Sequence, residues 1–273
     1  MKGGTAAVVL NAGLIFLALI TLTPVVWMVS ASFMVPGEAS TLPIHFFPAH
    51  PTLEHYKVLA ERLHVGRYFL NSFIIASAVT LISLVFNSMA GFVFAKYQFP
   101  GRDKLFRFLL AGMIVPAQVT MLPLFLMLKE MGFINTYVGV IIPGLASIFG
   151  IFLIRQFAGS IPDSLIEAAR IDGASEFKVY RSVVLPLCKP ILLTLALFTF
   201  MGTWNDFMWP LIIMTDNANY TLPVAIANLK GEHLLDLELM MAGSVVTILP
   251  VLILFLAFQR HYVRGIMVGG VKE

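Results

Sequence analysis

Residues 155–189 read RQFAGSIPDSLIEAARIDGASEFKVYRSVVLPLCK, and they separate two long stretches of the chain that carry almost no charge. Within this segment, the stretch from Ser164 to Asp172 is rich in residues that favour helices, and Gly173 follows it. Glycine readily adopts the left-handed conformation that ends a helix, so the pattern predicts two short helices around Gly173. We expect Ser160 to cap the first helix and Ser175 to begin the second. Two alternatives stay open for this pair of helices: a docking element for a partner protein, and an amphipathic loop that lies on the membrane surface.

Six apolar runs flank this segment, and each is long enough to cross a membrane as a helix. A bilayer core about 30 Å thick requires roughly 20 apolar residues. Apolar residues make up 59% of the 273 residues, and charged residues only 12%. This composition excludes a disordered chain, a secreted disulfide scaffold and an ordinary cytosolic enzyme. The predicted fold class is an all-α membrane protein, one domain over 1–273, with six transmembrane helices at about 8–33, 68–95, 108–128, 131–154, 190–215 and 239–259.

The basic residues are distributed unequally among the loops, and this sets the predicted orientation. Cytoplasmic loops of membrane proteins carry an excess of Lys and Arg. Thirteen of the eighteen Lys and Arg residues lie in segments on the same side as the amino terminus. We therefore expect a multi-pass protein with both termini and the 155–189 segment in the cytoplasm, and with residues 34–67 as an outer loop. The net charge of +3 reflects this topology, and we recognise no nucleic-acid patch.

The outer loop, residues 34–67, contains four histidines and several prolines. The histidines are His45, His50, His55 and His64, and their irregular spacing favours a solvated loop over a metal site. Residues 52–63 have the composition of a short helix on the membrane surface. The sequence therefore predicts no metal-binding residues in this loop.

The chain lacks the motifs of most enzymes and nucleotide-binding proteins. It has no G-x-x-x-x-G-K-[ST] loop for ATP phosphates, no H-E-x-x-H and no G-x-S-x-G. The single cysteine, Cys188, excludes a disulfide framework and a cysteine-built zinc site. No predicted span contains a histidine and only one contains an acid, which disfavours an intramembrane enzyme and a proton-driven carrier. The first run is longer than a cleaved signal peptide, so we interpret it as a retained span.

The fifth predicted span carries the densest set of polar residues, Thr203-Trp204-Asn205-Asp206. Polar groups inside a membrane usually face the bundle interior or a water-filled path. Trp204, Asn205 and Asp206 are therefore candidates for the substrate path. Two alternatives stay open: Asp206 is solvated or locally paired near the outer interface, and the tryptophan is an interfacial anchor.

Small residues and prolines in other spans predict how the helices pack. Asn87, Gly91 and Ala95 recur every four residues in the second span, a stripe that favours a packing seam over a binding site. Prolines inside spans free a backbone carbonyl and indicate kinked helices. They are Pro116, Pro123, Pro143 and Pro250.

At residues 167–186 the chain resembles a known family. Glu167-Ala168-Ala169, then Gly173, then Leu185-Pro186 match the EAA loop of ABC importer permeases, in which these residues stand at fixed spacing. The residues from Glu167 to Ser175 resemble those of the carbohydrate-uptake branch of this family. The same holds for Trp204 to Leu211 and for the tail from Gly265 to Lys272. The resemblance extends over nearly the whole chain. It is closest to the shorter, six-span partner of the maltose-type permease pair.

The resemblance implies that residues 155–189, here called the coupling segment, sit in a groove of a separate ATPase subunit. The family's coupling residues correspond by position to Glu167, Ala168, Ala169, Arg170, Asp172, Gly173 and Ser175. Arg170 and Asp172 are expected to pair with the ATPase or with each other. The cytoplasmic tail, residues 260–273, is implied to contact the ATPase dimer, with Arg260, Arg264, Gly269 and Gly270 as candidate residues.

The implied function is import of a sugar by a non-catalytic permease subunit in a bacterial or archaeal cytoplasmic membrane. The implied partners are a second, longer permease, two ATP-binding subunits, an extracytoplasmic sugar-binding protein and membrane lipid. The chain itself is expected to bind no cofactor, because ATP and Mg²⁺ belong to the ATPase subunits. Two alternatives remain open, a permease for glycerol phosphate or glycerophosphodiester and an ATP-independent secondary carrier.

Overall fold

The computed structural model describes residues 3–61, 63–232 and 236–270, and within these ranges every regular element is helical. Side chains are described for 7–61, 63–228 and 236–258. The α-helices are α1 (Gly3–Ala31), α2 (Glu54–Glu61), α3 (Val65–Lys96), α4 (Arg102–Ala111), α5 (Ala117–Glu130), α6 (Tyr137–Ile141), α7 (Ile148–Gly159), α8 (Asp163–Ile171), α9 (Glu176–Val179), α10 (Leu185–Leu187), α11 (Lys189–Trp204), α12 (Met208–Ile213), α13 (Leu222–Glu232) and α14 (Leu237–Gly270). The predicted all-α class is confirmed.

Three helices are long and apolar enough to cross a membrane by themselves. They are α1 over Ala7–Ala31, α3 over its whole length, and α14 over Leu237–Phe258. Three pairs of helical segments qualify only when each pair is taken together: Arg102–Ile114 with Ala117–Glu130, Tyr137–Gly144 with Ile148–Gly159, and Glu176–Leu187 with Lys189–Trp204. These pairs are bent by 102°, 41° and 79° respectively. The described residues thus hold three candidate spans, or up to six if each bent pair forms one span.

Proline accounts for two of these bends. Pro116 directly precedes α5, and Pro143 lies in a 3₁₀ turn, Ile142–Gly144, before α7. Proline has no N–H to donate and disfavours a helical conformation in the residue before it, so a helix breaks there. The predicted kinks at Pro116 and Pro143 are confirmed. In contrast, Pro123 and Pro250 lie within α5 and α14.

The fifth apolar run differs from the sequence prediction, and the helix of the sixth run extends beyond its predicted span. The fifth run is interrupted, because α11 ends at Trp204 and α12 begins at Met208. The sixth candidate span, Leu237–Phe258, agrees with the predicted bounds, but its helix α14 continues beyond the span to Gly270. Residues 251–264 contain neither glycine nor proline, so nothing in the local sequence stops the helix before the tail.

The chain divides into two compact units. The first comprises Met1–Arg67 and Leu222–Leu252, and it contains the predicted outer loop. Here the backbone returns along the end of α1, where Ser30 Oγ donates to the Phe46 carbonyl at 2.5 Å. The buried carboxylate of Glu238 accepts from the Ala39 N–H at 2.8 Å. His55 is also buried, with Nε2 at 2.9 Å from the Met34 carbonyl, so the expectation of a solvated loop is wrong for this residue.

The second unit, Tyr68–Thr221 and Ile253–Glu273, contains the coupling segment. Within it, α3 packs against α7 along the predicted seam. A Cβ added at Gly91 would lie 2.6 Å from Ile154 Cβ, so only glycine permits this approach. Asn87 is fully buried, and its Oδ1 accepts from the Ser147 N–H at 3.0 Å just before α7 begins. The predicted packing seam is therefore confirmed, and it fixes α7 against α3.

Candidate functional site

The coupling segment leaves α7 and enters α8 through a short turn. The prediction that Ser160 caps α8 is wrong, because Ser160 Oγ donates to the Phe157 carbonyl at 2.7 Å and so belongs to the end of α7. The residue before α8 is Pro162, which makes no side-chain cap. Asp163 is instead the first residue of α8, where a negative charge is favourable at the positive end of the helix dipole.

Gly173 separates α8 from α9, as the sequence predicts. Its φ is +78°, in the left-handed region that L side chains rarely adopt. A Cβ at Gly173 would meet nothing within 4 Å, so the requirement for glycine is conformational rather than steric. Ser175 then caps α9, with Oγ accepting from the Lys178 N–H at 3.4 Å. The two helices predicted around Gly173 are confirmed.

One face of the two helices packs onto the rest of the second unit. Ile166 of α8 and Val179 of α9 are buried in the same apolar cluster as Ile154 and Ala158 of α7. Ala169 is half-buried against this cluster. Burying a large aliphatic side chain contributes roughly 1.5–3 kcal/mol, so these contacts hold the helices in a defined orientation.

The opposite face of α8 is apolar and exposed. Leu165, Ala168 and Ile171 follow one another at intervals of three residues, and Ile171 is 86% exposed. Phe177 of α9 is 63% exposed. Because Ala168 carries only a methyl group, a second protein can approach the α8 backbone closely at this point. An apolar face of this kind, bordered by charge, is typical of a protein interaction site.

Arg170 forms a bidentate ion pair with Glu176, which joins the end of α8 to the start of α9. Arg170 Nε lies 2.9 Å from Glu176 Oε1, and Nη2 lies 3.1 Å from Oε2. The Tyr97 hydroxyl donates to Glu176 Oε2, and the Arg170 guanidinium lies 5.8 Å from the centre of the Tyr97 ring. Arg170 is therefore paired with Glu176 rather than with Asp172.

Tyr97, Arg170 and Glu176 form a hydrogen-bonded cluster in which the pKa values of all three side chains are shifted. The hydrogen bonds from Arg170 and then from Tyr97 lower the pKa of Glu176. The same ion pair raises the pKa of Arg170. Burial, and then the hydrogen bond that Tyr97 donates to Glu176, raise the pKa of the tyrosine hydroxyl. Near neutral pH the cluster therefore contains a charged Arg170, a charged Glu176 and a protonated Tyr97.

A second ion pair ties the start of α8 to the end of α3. Lys96 Nζ lies 2.6 Å from Asp163 Oδ1 and 2.5 Å from the Ile161 carbonyl oxygen. The Lys96 side chain is only 7% exposed, whereas that of Asp163 is 72% exposed. Lys96 and Tyr97 are consecutive in sequence, so the end of α3 contacts the first residue of α8 and the first residue of α9.

Two predicted coupling residues carry charges that the described part of the chain leaves unpaired. Glu167 and Asp172 are exposed, and neither side chain forms a hydrogen bond or an ion pair within that part. Such carboxylates are available to basic groups of a partner. Together with the exposed apolar face, they give α8 the composition of a docking helix.

After α9 the chain forms a π-helical turn, Tyr180–Val184, which leads into α10. π-Helical turns are rare and frequently occur at functional sites. The hydroxyl of Tyr180 lies 2.7 Å from Ser88 Oγ of α3, and both residues are buried. This contact is a third link between α3 and the coupling segment.

The structure places the three predicted path residues in different surroundings. Trp204 is 1% exposed, with its ring 5.3 Å from Phe69 and stacked at 5.9 Å on Phe200, measured between ring centres. Asn205 is exposed and ends α11, whereas Asp206 is half-buried and its Oδ1 accepts from the Trp209 N–H at 3.4 Å. In this conformation Trp204 has no free face for a sugar ring, and Asp206, which precedes the N-cap residue Phe207, accepts from an N–H in the first turn of α12.

The predicted contact residues of the tail lie in the final part of α14. The backbone is helical at Gly269 and Gly270, and also at Arg260 and Arg264. The side chains of the two arginines are outside the described residues. Residues 271–273, the last part of the predicted tail, are outside them as well.

Sequence reasoning missed the two residues that connect the coupling segment to α3. Lys96 entered the sequence analysis only as one of the positive charges that predict the orientation in the membrane. Nothing in the sequence pattern distinguished Tyr97 from other aromatic residues. Two acidic residues at the starts of the two short helices, Asp163 and Glu176, were visible in the sequence. Their partners lie 67 and 79 residues earlier in the chain, and no periodicity connects residues so far apart.

Comparison with known proteins places the chain in a family. A family model described as "Binding-protein-dependent transport system inner membrane component" matches residues 87–268. The chain is 35% identical over 266 residues to the arabino-oligosaccharide transport system permease protein AraQ of Halalkalibacterium halodurans, covering 96% of this chain and 95% of that relative. It is 34% identical over 270 residues to the trehalose/maltose transport system permease protein MalG of Thermococcus litoralis, covering 97% and 96%.

A solved structure has the same fold. It is a chain in the crystal structure of a bacterial ABC transporter involved in the import of the acidic polysaccharide alginate, with a TM-score of 0.83 over 96% of this chain and 98% of that one. The sequence identity of 24% restricts this likeness to the fold. The family match, together with relatives that align over almost their whole length, shows more than the fold. The chain belongs to the binding-protein-dependent transport system inner membrane components, the multi-pass permease subunits of ABC importers.

Proposed function

We propose that this chain is the permease subunit through which an ATP-driven importer moves a mono- or oligosaccharide across the cytoplasmic membrane. An extracytoplasmic binding protein delivers the sugar, and alternating access is coupled to a separate ATPase. The observation that carries this proposal is the exposed apolar face of α8, formed by Leu165, Ala168 and Ile171. The other side of α8 is packed into the buried apolar cluster through Ile166, so a partner that binds the exposed face can transmit force to the rest of the unit.

The coupling residues have distinct roles in this proposal. Ala168 allows the ATPase groove to approach the α8 backbone, and the unpaired carboxylates of Glu167 and Asp172 meet basic groups of that groove. Gly173 permits the turn that places α9 beside α8. ATP drives the conformational cycle only if it binds the closed state of the ATPase pair more tightly than the open state. The chain is non-catalytic and binds no cofactor itself, because ATP and Mg²⁺ sit on the ATPase subunits.

The complete transporter contains, in this proposal, a second and longer permease and two ATP-binding subunits. Both termini and the coupling segment face the cytoplasm, in agreement with the excess of Lys and Arg in these segments. The six apolar runs each form one span. The end of α14 contacts the ATPase dimer in this proposal, through Arg260, Arg264, Gly269 and Gly270. Truncation of the chain before Arg260 therefore weakens the association of the ATPase with the permease.

The substrate class rests on the relatives and on the charge of the spans. The two relatives described above are named for arabino-oligosaccharides and for trehalose and maltose. None of the predicted spans contains a Lys or an Arg, which disfavours an anionic substrate such as glycerol phosphate or a glycerophosphodiester. Asn205 and Asp206 are the proposed polar groups of the path.

The substrate proposal is tested by ligand screening of the cognate binding protein in a thermal-shift assay. Arabinotriose, maltose, trehalose and glycerol 3-phosphate are the probes, and we expect one of the sugars to raise the melting temperature. A shift with glycerol 3-phosphate alone would replace the sugar proposal with the organophosphate alternative. A response to none of the four would count against the sugars named here.

The coupling proposal is tested on the complex in proteoliposomes. We expect the ATPase to co-purify with the permease, and Glu167→Arg to reduce uptake while the permease stays in the membrane. Uptake by the permease alone, driven by an ion gradient without ATP, would support the secondary-carrier alternative. The control is Lys57→Arg, which keeps the charge of an exposed side chain in the outer loop.

A further inference from the structure

We infer that Lys96 and Tyr97 at the end of α3 form a two-point clamp that makes the coupling helices move with α3, so that these two residues set the efficiency of coupling. This inference rests on the proposed function. It concerns residues outside the EAA motif, which act through the coupling helices and contact neither sugar nor nucleotide. They are positioning residues.

The first point of the clamp is the ion pair at the start of α8. Lys96 is the last residue of α3, and its side chain is almost fully buried. Its ammonium group contacts both the Asp163 carboxylate and the Ile161 carbonyl. The positive charge lies at the negative end of the α3 dipole, and Asp163 lies at the positive end of the α8 dipole, so both helix ends favour the pair.

The second point is the hydrogen bond at the start of α9. The Tyr97 hydroxyl donates to Glu176, which is already held by Arg170 from the end of α8. The Tyr97 ring is fixed on its other side by Phe92 of α3, with ring centres 5.4 Å apart at an angle of 86°. Hydrogen bonds to a charged group are about twice as strong as neutral ones. A displacement of α9 relative to α3 therefore breaks a charged contact.

The two points together restrain the coupling helices more than either does alone. A single contact leaves rotation in any direction about that point, whereas contacts at the starts of both helices leave only rotation about the line that joins them. The contact between Tyr180 and Ser88 opposes this remaining rotation. The covalent route from α7 passes through a short non-helical turn at residues 160–162. The clamp runs instead to α3, a continuous helix of 32 residues and a candidate span. Force applied to the exposed face of α8 thus reaches α3 directly.

A spin-label distance measurement tests the clamp without any substrate. The labels are placed by Val93→Cys on α3 and Lys178→Cys on α9, both exposed positions, in a Cys188→Ala background that removes the only native cysteine. We expect one narrow distance distribution, unchanged when the complex is trapped with ATP and vanadate. Tyr97→Phe and Lys96→Met should each broaden it and make it change on trapping.

A functional measurement on the same complex separates positioning from mere folding. The basal ATPase rate should stay at the wild-type level in Tyr97→Phe, whereas stimulation by the arabinotriose-loaded binding protein should fall roughly 2- to 30-fold, the range of single changes along a coupling network. The matched control is Tyr56→Phe in the other compact unit, which removes a hydroxyl that lies 2.7 Å from Ser32 Oγ. It should leave both readouts unchanged.

The outcomes separate this inference from the proposed function. If the ATPase does not associate with the wild-type permease, the proposed function fails, and the distance measurement on the permease in nanodiscs still decides the clamp. If Lys96→Met does not reach the membrane, Lys96→Gln, which removes the charge but keeps a donor for the Ile161 carbonyl, should broaden the distribution in its place. Narrow, unchanged distributions in Tyr97→Phe and in the Lys96 variant would overturn the inference, and so would equal broadening in Tyr56→Phe.

Discussion

Arg170 and Glu176 close the turn at Gly173 with two parallel hydrogen bonds, Nε to Oε1 at 2.9 Å and Nη2 to Oε2 at 3.1 Å. The pair joins the last turn of α8 to the first residue of α9, so the two short helices form one body. Exposed ion pairs generally contribute little to stability, but bidentate geometry and a third partner, Tyr97, make this one a defined contact. Its main effect is to fix the angle at which the exposed face of α8 is presented.

The shape of the coupling segment should depend on pH through Glu176. Arg170 and Tyr97 lower the pKa of the Glu176 carboxyl below its ordinary value of 4.5. The charged carboxylate therefore stabilises the segment at pH values above 4.5, and this contribution is lost as the pH falls through the lowered pKa. We expect the hydrogen-exchange protection factors of residues 165–180 to fall below about pH 4.5. Glu176→Gln should show lower protection at neutral pH and a weaker dependence on pH. Equal pH profiles for the two proteins would contradict this assignment.

Replacement of Gly173 should impair coupling in proportion to the cost of a left-handed backbone. Alanine at φ +78° costs roughly 1–2 kcal/mol, although its Cβ has space. Asparagine tolerates this region better, and proline, with φ fixed near −65°, cannot adopt it. We expect sugar-stimulated ATPase activity to decrease from glycine to asparagine to alanine, and to be absent in Gly173→Pro.

The matched control for this series is Gly202→Ala. That glycine also has nothing within 4 Å of an added Cβ, but it lies within α11 without a positive φ. It should keep near-normal activity at equal amounts in the membrane. If Gly173→Ala and Gly202→Ala behave alike, the left-handed turn is not required for coupling.

Replacement of Gly91 should destabilise the contact between α3 and α7. In Gly91→Ala the new Cβ would lie 2.6 Å from Ile154 Cβ, so the two helices must separate. Overpacking of this kind costs roughly 1–3 kcal/mol, which should lower the melting temperature of the detergent-solubilised protein. Gly66→Ala in the same helix, where nothing lies within 4 Å, should leave stability unchanged or slightly raise it. A stable Gly91→Ala protein would show that the seam can relax.

Substitution of Asp206 distinguishes a capping role from a role in the sugar path. The structure shows Asp206 Oδ1 accepting from the Trp209 N–H at 3.4 Å, a contact that asparagine can also make. If the carboxylate acts only as a cap, Asp206→Asn keeps normal uptake and Asp206→Ala loses stability, by about 1 kcal/mol. If it borders the path, as proposed, Asp206→Asn weakens uptake, seen as a raised KM for the transported sugar with an unchanged melting temperature.

Local signals in the sequence located much of the candidate site. Gly173 and Ser175 were recognised from glycine stops and serine caps, which depend only on neighbouring residues. Ser160 shows where this reasoning fails, because its hydroxyl was equally able to bond back to α7. The break at residues 205–207 was also missed, since the apolar character of the fifth run continues across it. Composition indicates that a segment belongs in a membrane but not whether its helix is continuous.

The amino-acid sequence by itself determined the helical membrane class and the position of the coupling segment with its turn at Gly173. These features depend on composition and on short-range backbone preferences, which act between residues close in the chain. Only the tertiary structure decided that Lys96 and Tyr97 hold Asp163 and Glu176, that Trp204 is buried between Phe69 and Phe200, and that Arg170 pairs within the chain. Such contacts join residues far apart in sequence, and they follow from how the helices pack.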